Sequence, residues 1–194
     1  MEEIWGTIQK GIFHIINFET YDHLIYVVII TVPFLFNKWK RILGLITIFI
    51  LGHIITLALD TFDVVRADKQ MVMFLMYSIL FILAVYNVIS SGKRPAGERY
   101  GVVFFLSLGL GLAHGFITNS FFSNLFKSGE NKVIYLLETT LGMWLGLLIL
   151  AFLSVLIGFI CQTVFRFKNR DWVLVTSSII IGVLIPLIIS TWIF

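Results

Sequence analysis

Residues 133–165 read VIYLLETTLGMWLGLLILAFLSVLIGFICQTVF, and Glu138 is the single charged side chain among them. Such a run cannot keep most of its sides in water. A transmembrane helix needs about 20 apolar residues, each rising about 1.5 Å. This stretch is longer than that, so it tilts or projects beyond the bilayer. Neighbouring stretches repeat the pattern. Ile42–Leu59, Gln70–Ser90, Tyr100–Asn119 and Trp172–Phe194 each have the length and apolarity to cross, and Tyr21–Phe36 reads as a shorter span. Pro186 inside the last predicts a local kink. Residues 3–18 are too short and too interrupted to cross, and suit a helix that lies in the interface or dips part-way in. The expected fold is all-α: a single transmembrane domain over residues 1–194, a bundle of about six transmembrane helices plus an N-terminal interfacial or re-entrant helix.

Composition excludes a soluble domain. The chain has 194 residues, 59% of them hydrophobic and 13% charged, with a mean hydropathy of +0.99. A soluble domain would be nearer a quarter charged. The net charge is +3 with no dense basic run, so the lipid bilayer is the expected partner and nucleic acid is not. The lone Cys161 excludes a disulfide framework within the chain. Glu2 and Glu3 stand where a secretory signal would carry positive charge, so no such signal is expected.

Basic residues orient the bundle. With six alternating spans, segments 37–41, 91–99 and 166–171 share one side and hold nine of the 14 Lys and Arg residues. The positive-inside rule puts them in the cytoplasm and both termini outside, as in a bacterial inner membrane.

Ionisable groups at membrane depth are costly and mark function. The four histidines, His14, His23, His53 and His114, all lie in or beside apolar segments. His53 is seven residues from the outer end of its span, about 10 Å deep, and His114 is six from its own, about 9 Å. Asp22 and His23 open the first span from the same side, and Glu138 is about 9 Å into the fifth. Imidazole and carboxylate in one layer suit Ni, Co, Zn or Fe. The plain alternative is that the histidines pair helices. Gly111/Gly115 and Gly142/Gly146 are GxxxG pairs, read as helix-packing positions. Met71, Met73 and Met76 read as apolar filler, although a thioether binds soft metals. Asp60, Asp63 and Asp68 read as a solvated loop. No Gly-rich phosphate loop, GxSxG or HExxH is present.

The His14 segment leading to Tyr21-Asp22-His23, then Gly52-His53, then Gly111-Leu112-Ala113-His114-Gly115, resembles the HupE/UreJ family of small membrane proteins. The ending, Phe165-Arg166 through Arg170-Asp171-Trp172-Val173-Leu174 and a final apolar helix, resembles a short branch of it. The resemblance implies a nickel or cobalt permease, with Asp22, His23, His53 and His114 matching the family's His/Asp motifs and His14 less closely. One departure stands out. Where the family often carries a pattern like NLGxExGQ, this chain has Thr140-Leu141-Gly142-Met143-Trp144-Leu145-Gly146-Leu147, with Trp144 and Leu147 at the acid and amide positions. Glu138 is then a possible additional carboxylate.

Three functions remain open at this level. A divalent metal permease would capture its ion at His23, His53, His114 and Asp22, with His14 at the entrance. An intramembrane zinc hydrolase would use the same ligands with an open position for water and act on a lipid or peptide, with Glu138 as the spare base. A non-catalytic accessory protein would need the histidines only as helix partners. Oligomeric state is left open.

Overall fold

The computed structural model describes residues 2–17, 21–34, 38–92, 100–125 and 131–192. Residues 93–99, which carry three of the orienting basic side chains, and Lys127 lie outside the described residues. The described chain forms seven helices: α1 (Glu2–Ile16), α2 (Tyr21–Thr31), α3 (Trp39–Thr61), α4 (Lys69–Ser90), α5 (Tyr100–Leu125), α6 (Lys132–Thr163) and α7 (Asn169–Ser190). Five of these, α3 to α7, are long and apolar enough to cross a membrane; α2 is not. The protein is an integral membrane protein.

Local chemistry sets the helix ends. Asp68 caps α4 by accepting from the Met71 amide at 2.9 Å, so one member of the acidic loop is structural. Asn131 caps α6 through the Val133 amide at 3.0 Å. At α2 the deciding residue is Pro33. It has no N–H to return to the Ile29 carbonyl, so the helix stops at Thr31 rather than running to Phe36. The carbonyl is instead satisfied from outside: the Asn87 side-chain amide of α4 donates to it at 2.8 Å. Pro186 lies inside α7, which continues past it to Ser190.

Two glycine contacts determine which helices pair. On α5, a Cβ at Gly111 or Gly115 would overlap the α3 backbone at Phe49 and His53. On α6, a Cβ at Gly142 would overlap the α1 backbone at Ile8. Both expected GxxxG pairs are therefore close-approach surfaces.

The α1–α6 contact also gives direction. Ile8 lies at Gly142, Ile12 and Ile15 lie at Gly146, and Thr31 of α2 lies at Ser154. Helices α1 and α2 thus run successively along α6 in its own direction. Together they cover much of the length of one face of α6. Alone, the 11 residues of α2 would reach only about 16 Å. The 32-residue α6, about 48 Å long, is the backing against which both are laid.

Helix α2 also touches α3, α4 and α7, and Val27, Ile29 and Ile30 on it are fully buried. A helix apolar on all sides suits that central position. Large side chains that remain exposed, such as Phe105, Ile157 and Ile179, sit on the outer helices, where hydrocarbon rather than water is the solvent.

Candidate metal centre

The discontinuity between α1 and α2 positions the site. His14 occupies the last turn of α1 and Asp22 the first turn of α2. His53 comes from α3 and His114 from α5, brought together by the glycine contact at Gly115. His23, His53 and His114 are all buried.

The rings form a continuous group. His14 and His23 have centroids 5.1 Å apart, His23 and His114 4.6 Å, and His53 and His114 5.2 Å. Asp22 sits between two of them. Its Oδ1 is 3.6 Å from His23 Nδ1 and its Oδ2 is 3.6 Å from His114 Nε2. That is too long for a hydrogen bond. It is close to the separation of two ligands on one ion, since bonds of about 2.0–2.2 Å in a tetrahedron leave edges of roughly 3.3–3.6 Å. Asp22, His23 and His114 each offer a ligand atom, all within 4.8 Å of one another, and form a group that could hold a metal ion.

His53 stands on the other side of His114. The two Nδ1 atoms are 3.1 Å apart, and Thr118 Oγ1 is also 3.1 Å from His114 Nδ1. The Thr118 hydroxyl donates to the His114 carbonyl at 3.0 Å, which leaves its oxygen as an acceptor. A proton on His114 Nδ1 can therefore be shared by Thr118 and His53, leaving the His114 Nε2 lone pair facing Asp22. A ring nitrogen that donates away from a metal is the usual way a ligating histidine is oriented. In this arrangement His53 carries its own proton on Nε2, which is buried without a hydrogen-bond partner among the described residues.

The surroundings are apolar except on one side. A cavity of about 10 Å³ is lined by Asp22, His23 and His114 together with Tyr26, Phe49 and Met76. That is room for about one water-sized sphere. Of the three methionines read as apolar filler, Met76 lines this cavity and Met71 is exposed. Beyond His14 lies a wider, open vestibule of about 590 Å³, lined by Lys10, His14, Asn17, Ser120 and Asn124. The His14 ring stacks on Phe121 at 3.9 Å on the wall of that vestibule.

A model of the HupE/UreJ protein family matches residues 1–194, the whole chain. The chain belongs to the HupE/UreJ family. No curated protein and no solved structure matches it. The family is linked to nickel and cobalt handling, and the apolar helices of this chain fit a membrane protein of a metal-related family.

The His and Asp residues that the sequence singled out meet in the structure, but Glu138, Trp144 and Leu147 do not join them. Glu138 is half-buried on α6 and is not a member of the His/Asp group. Trp144 turns its indole N–H to Thr47 Oγ1 of α3 at 3.3 Å, and Leu147 is fully buried in the core. Both side chains serve contacts between helices. Sequence reading did not single out Thr118, which lies one turn beyond His114. The i, i+4 spacing of the two residues is the signal that could have found it.

Proposed function

We propose that this HupE/UreJ protein is a divalent metal permease of the nickel and cobalt class. Its capture site would be Asp22, His23 and His114, with His53 bound to His114 behind them. The observation that carries this reading is the convergence of a carboxylate and two imidazoles from two separate elements at membrane depth. Such groups are costly there unless they serve a path or a ligand.

Three features support it. The vestibule at His14 supplies an approach for a hydrated cation from one membrane face. The meeting of α1 and α2 places two helix ends at the site, an arrangement that transporters use to bind ions at mid-membrane. The cavity has the volume of an ion and not of an ester or peptide bond with its chains, and Glu138 stands apart from it. This favours cargo over a hydrolytic zinc centre. By the positive-inside rule the vestibule faces outward in a bacterial inner membrane, with both termini outside.

The test is titration of the purified protein with nickel, cobalt and zinc, followed by nickel uptake into reconstituted vesicles. One ion bound per chain, with uptake above that of protein-free vesicles, is expected. No binding of any of the three ions by folded protein would end the reading and leave the histidines as helix partners.

A further inference from the structure

Helix α2 carries polar groups in register from the metal site to the far side of the bundle. One turn after Asp22 and His23 comes Tyr26, whose ring forms part of the cavity floor and stacks on Phe49 at 4.4 Å. Its hydroxyl points away from the site and donates to the Leu45 carbonyl of α3 at 3.2 Å. The Ser107 hydroxyl lies beside it, is fully buried and has no other hydrogen-bond partner among the described residues. Ser107 is seven residues before His114 on α5, so both share one helix face, about 10 Å apart along the axis.

Further along α2 come the Ile29 carbonyl, held by Asn87, and Thr31, whose hydroxyl meets that of Ser154 at 2.7 Å. The Asn87 Oδ1 is buried with no hydrogen-bond partner among the described residues. Thr31 and Ser154 line a cavity of about 270 Å³ with Gln162, Thr163 and Trp172, at the end of α6 opposite its start by the vestibule. Hydroxyls and carbonyls at these depths are expensive unless satisfied or used. The apolar Tyr26–Phe49 stack is the barrier that separates the two polar stretches.

We propose that Tyr26 is the gate between the metal site and the opposite face, and that its hydroxyl, Ser107 and the Leu45 carbonyl are an oxygen-lined station on the release path along α2. The proposal rests on the permease reading. Rotation of the Tyr26 ring away from Phe49 would open the floor of the site and offer a departing cation oxygen ligands in place of imidazole.

The experiment compares Tyr26→Phe and Ser107→Ala with wild type by nickel titration in detergent and nickel uptake into vesicles. Tyr26→Phe keeps the ring and its stacking and removes only the hydroxyl. Binding stoichiometry within error of wild type, with uptake at least about tenfold slower in both variants, is the expected result. Wild-type uptake in both variants would overturn the oxygen-lined station on the release path and leave the permease reading standing. Loss of binding along with uptake would also overturn it, because the hydroxyls would then serve the site. A wild type that binds nickel but moves none removes the permease reading, and the gate with it.

Discussion

His114 has two different neighbours at its two ring nitrogens. Nε2 faces the Asp22 carboxylate at 3.6 Å and Nδ1 faces His53 and Thr118 at 3.1 Å. The first contact has the spacing of co-ligands and the second that of a hydrogen bond. The two histidines therefore differ in expected effect. His114→Ala removes a ligand and should abolish stoichiometric binding. His53→Ala removes a group that orients a ligand, and should weaken binding about 10–100-fold without abolishing it. Isothermal titration of nickel into both variants decides it, and equal, complete loss would make His53 a ligand. Binding should also weaken as pH falls, since a ligating imidazole must be neutral and protons compete with the metal for it. The candidates themselves were legible, because an imidazole in hydrocarbon stands out in any membrane sequence. Their roles were not, because a role depends on which nitrogen faces what.

Between elements, backbone chemistry accounts for both the length of α2 and the burial of Asn87. Pro33 ends α2 early and leaves the Ile29 carbonyl without a helix partner, and the Asn87 amide supplies the missing hydrogen bond. Asn87→Leu should therefore destabilise the protein by about 1–3 kcal/mol, the cost of a buried unsatisfied carbonyl. Adding Pro33→Ala restores an N–H near that carbonyl, so the double variant should lose less than Asn87→Leu alone. Thermal unfolding of the two single variants and the double in detergent measures this, and strictly additive losses would contradict the coupling. The boundaries of α3, α4 and α6 were readable to within a few residues, since hydropathy and capping are local, whereas α5 runs six residues past the expected Asn119, to Leu125. Helix α2 was expected to reach Phe36, and the Pro33 signal that shortens it was present but went unread. The insertion of α1 beside α6 was less legible, because it depends on Gly142 and Gly146 meeting Ile8, Ile12 and Ile15 across a long stretch of chain.

At the scale of the molecule, the distribution of charge predicts an orientation. The ends of α4 and the start of α7 lie together, with Ser91 Oγ donating to the Arg170 carbonyl at 3.2 Å, so the segments around them share one face. Lys168 is exposed on that face, and Val65 is exposed in the loop between α3 and α4 on the other. In a Cys161→Ser background, Lys168→Cys should react with a membrane-impermeant maleimide only from the cytoplasmic side, and Val65→Cys only from outside. The reverse pattern would place the His14 vestibule in the cytoplasm and turn uptake into export.

The sequence by itself determined the solvent, the helical class and the residues with chemistry to offer. All three depend on composition and on runs of neighbouring residues, which a bilayer reads one segment at a time. The tertiary structure alone decided that α1 and α2 both lie along α6 and that Asp22 stands between His23 and His114. It also decided that Glu138, about as deep as His53 and His114, faces elsewhere. Depth is a property of one helix, whereas convergence depends on how each helix is rotated about its axis. That rotation is set by glycine contacts and interhelical hydrogen bonds between residues far apart in the chain.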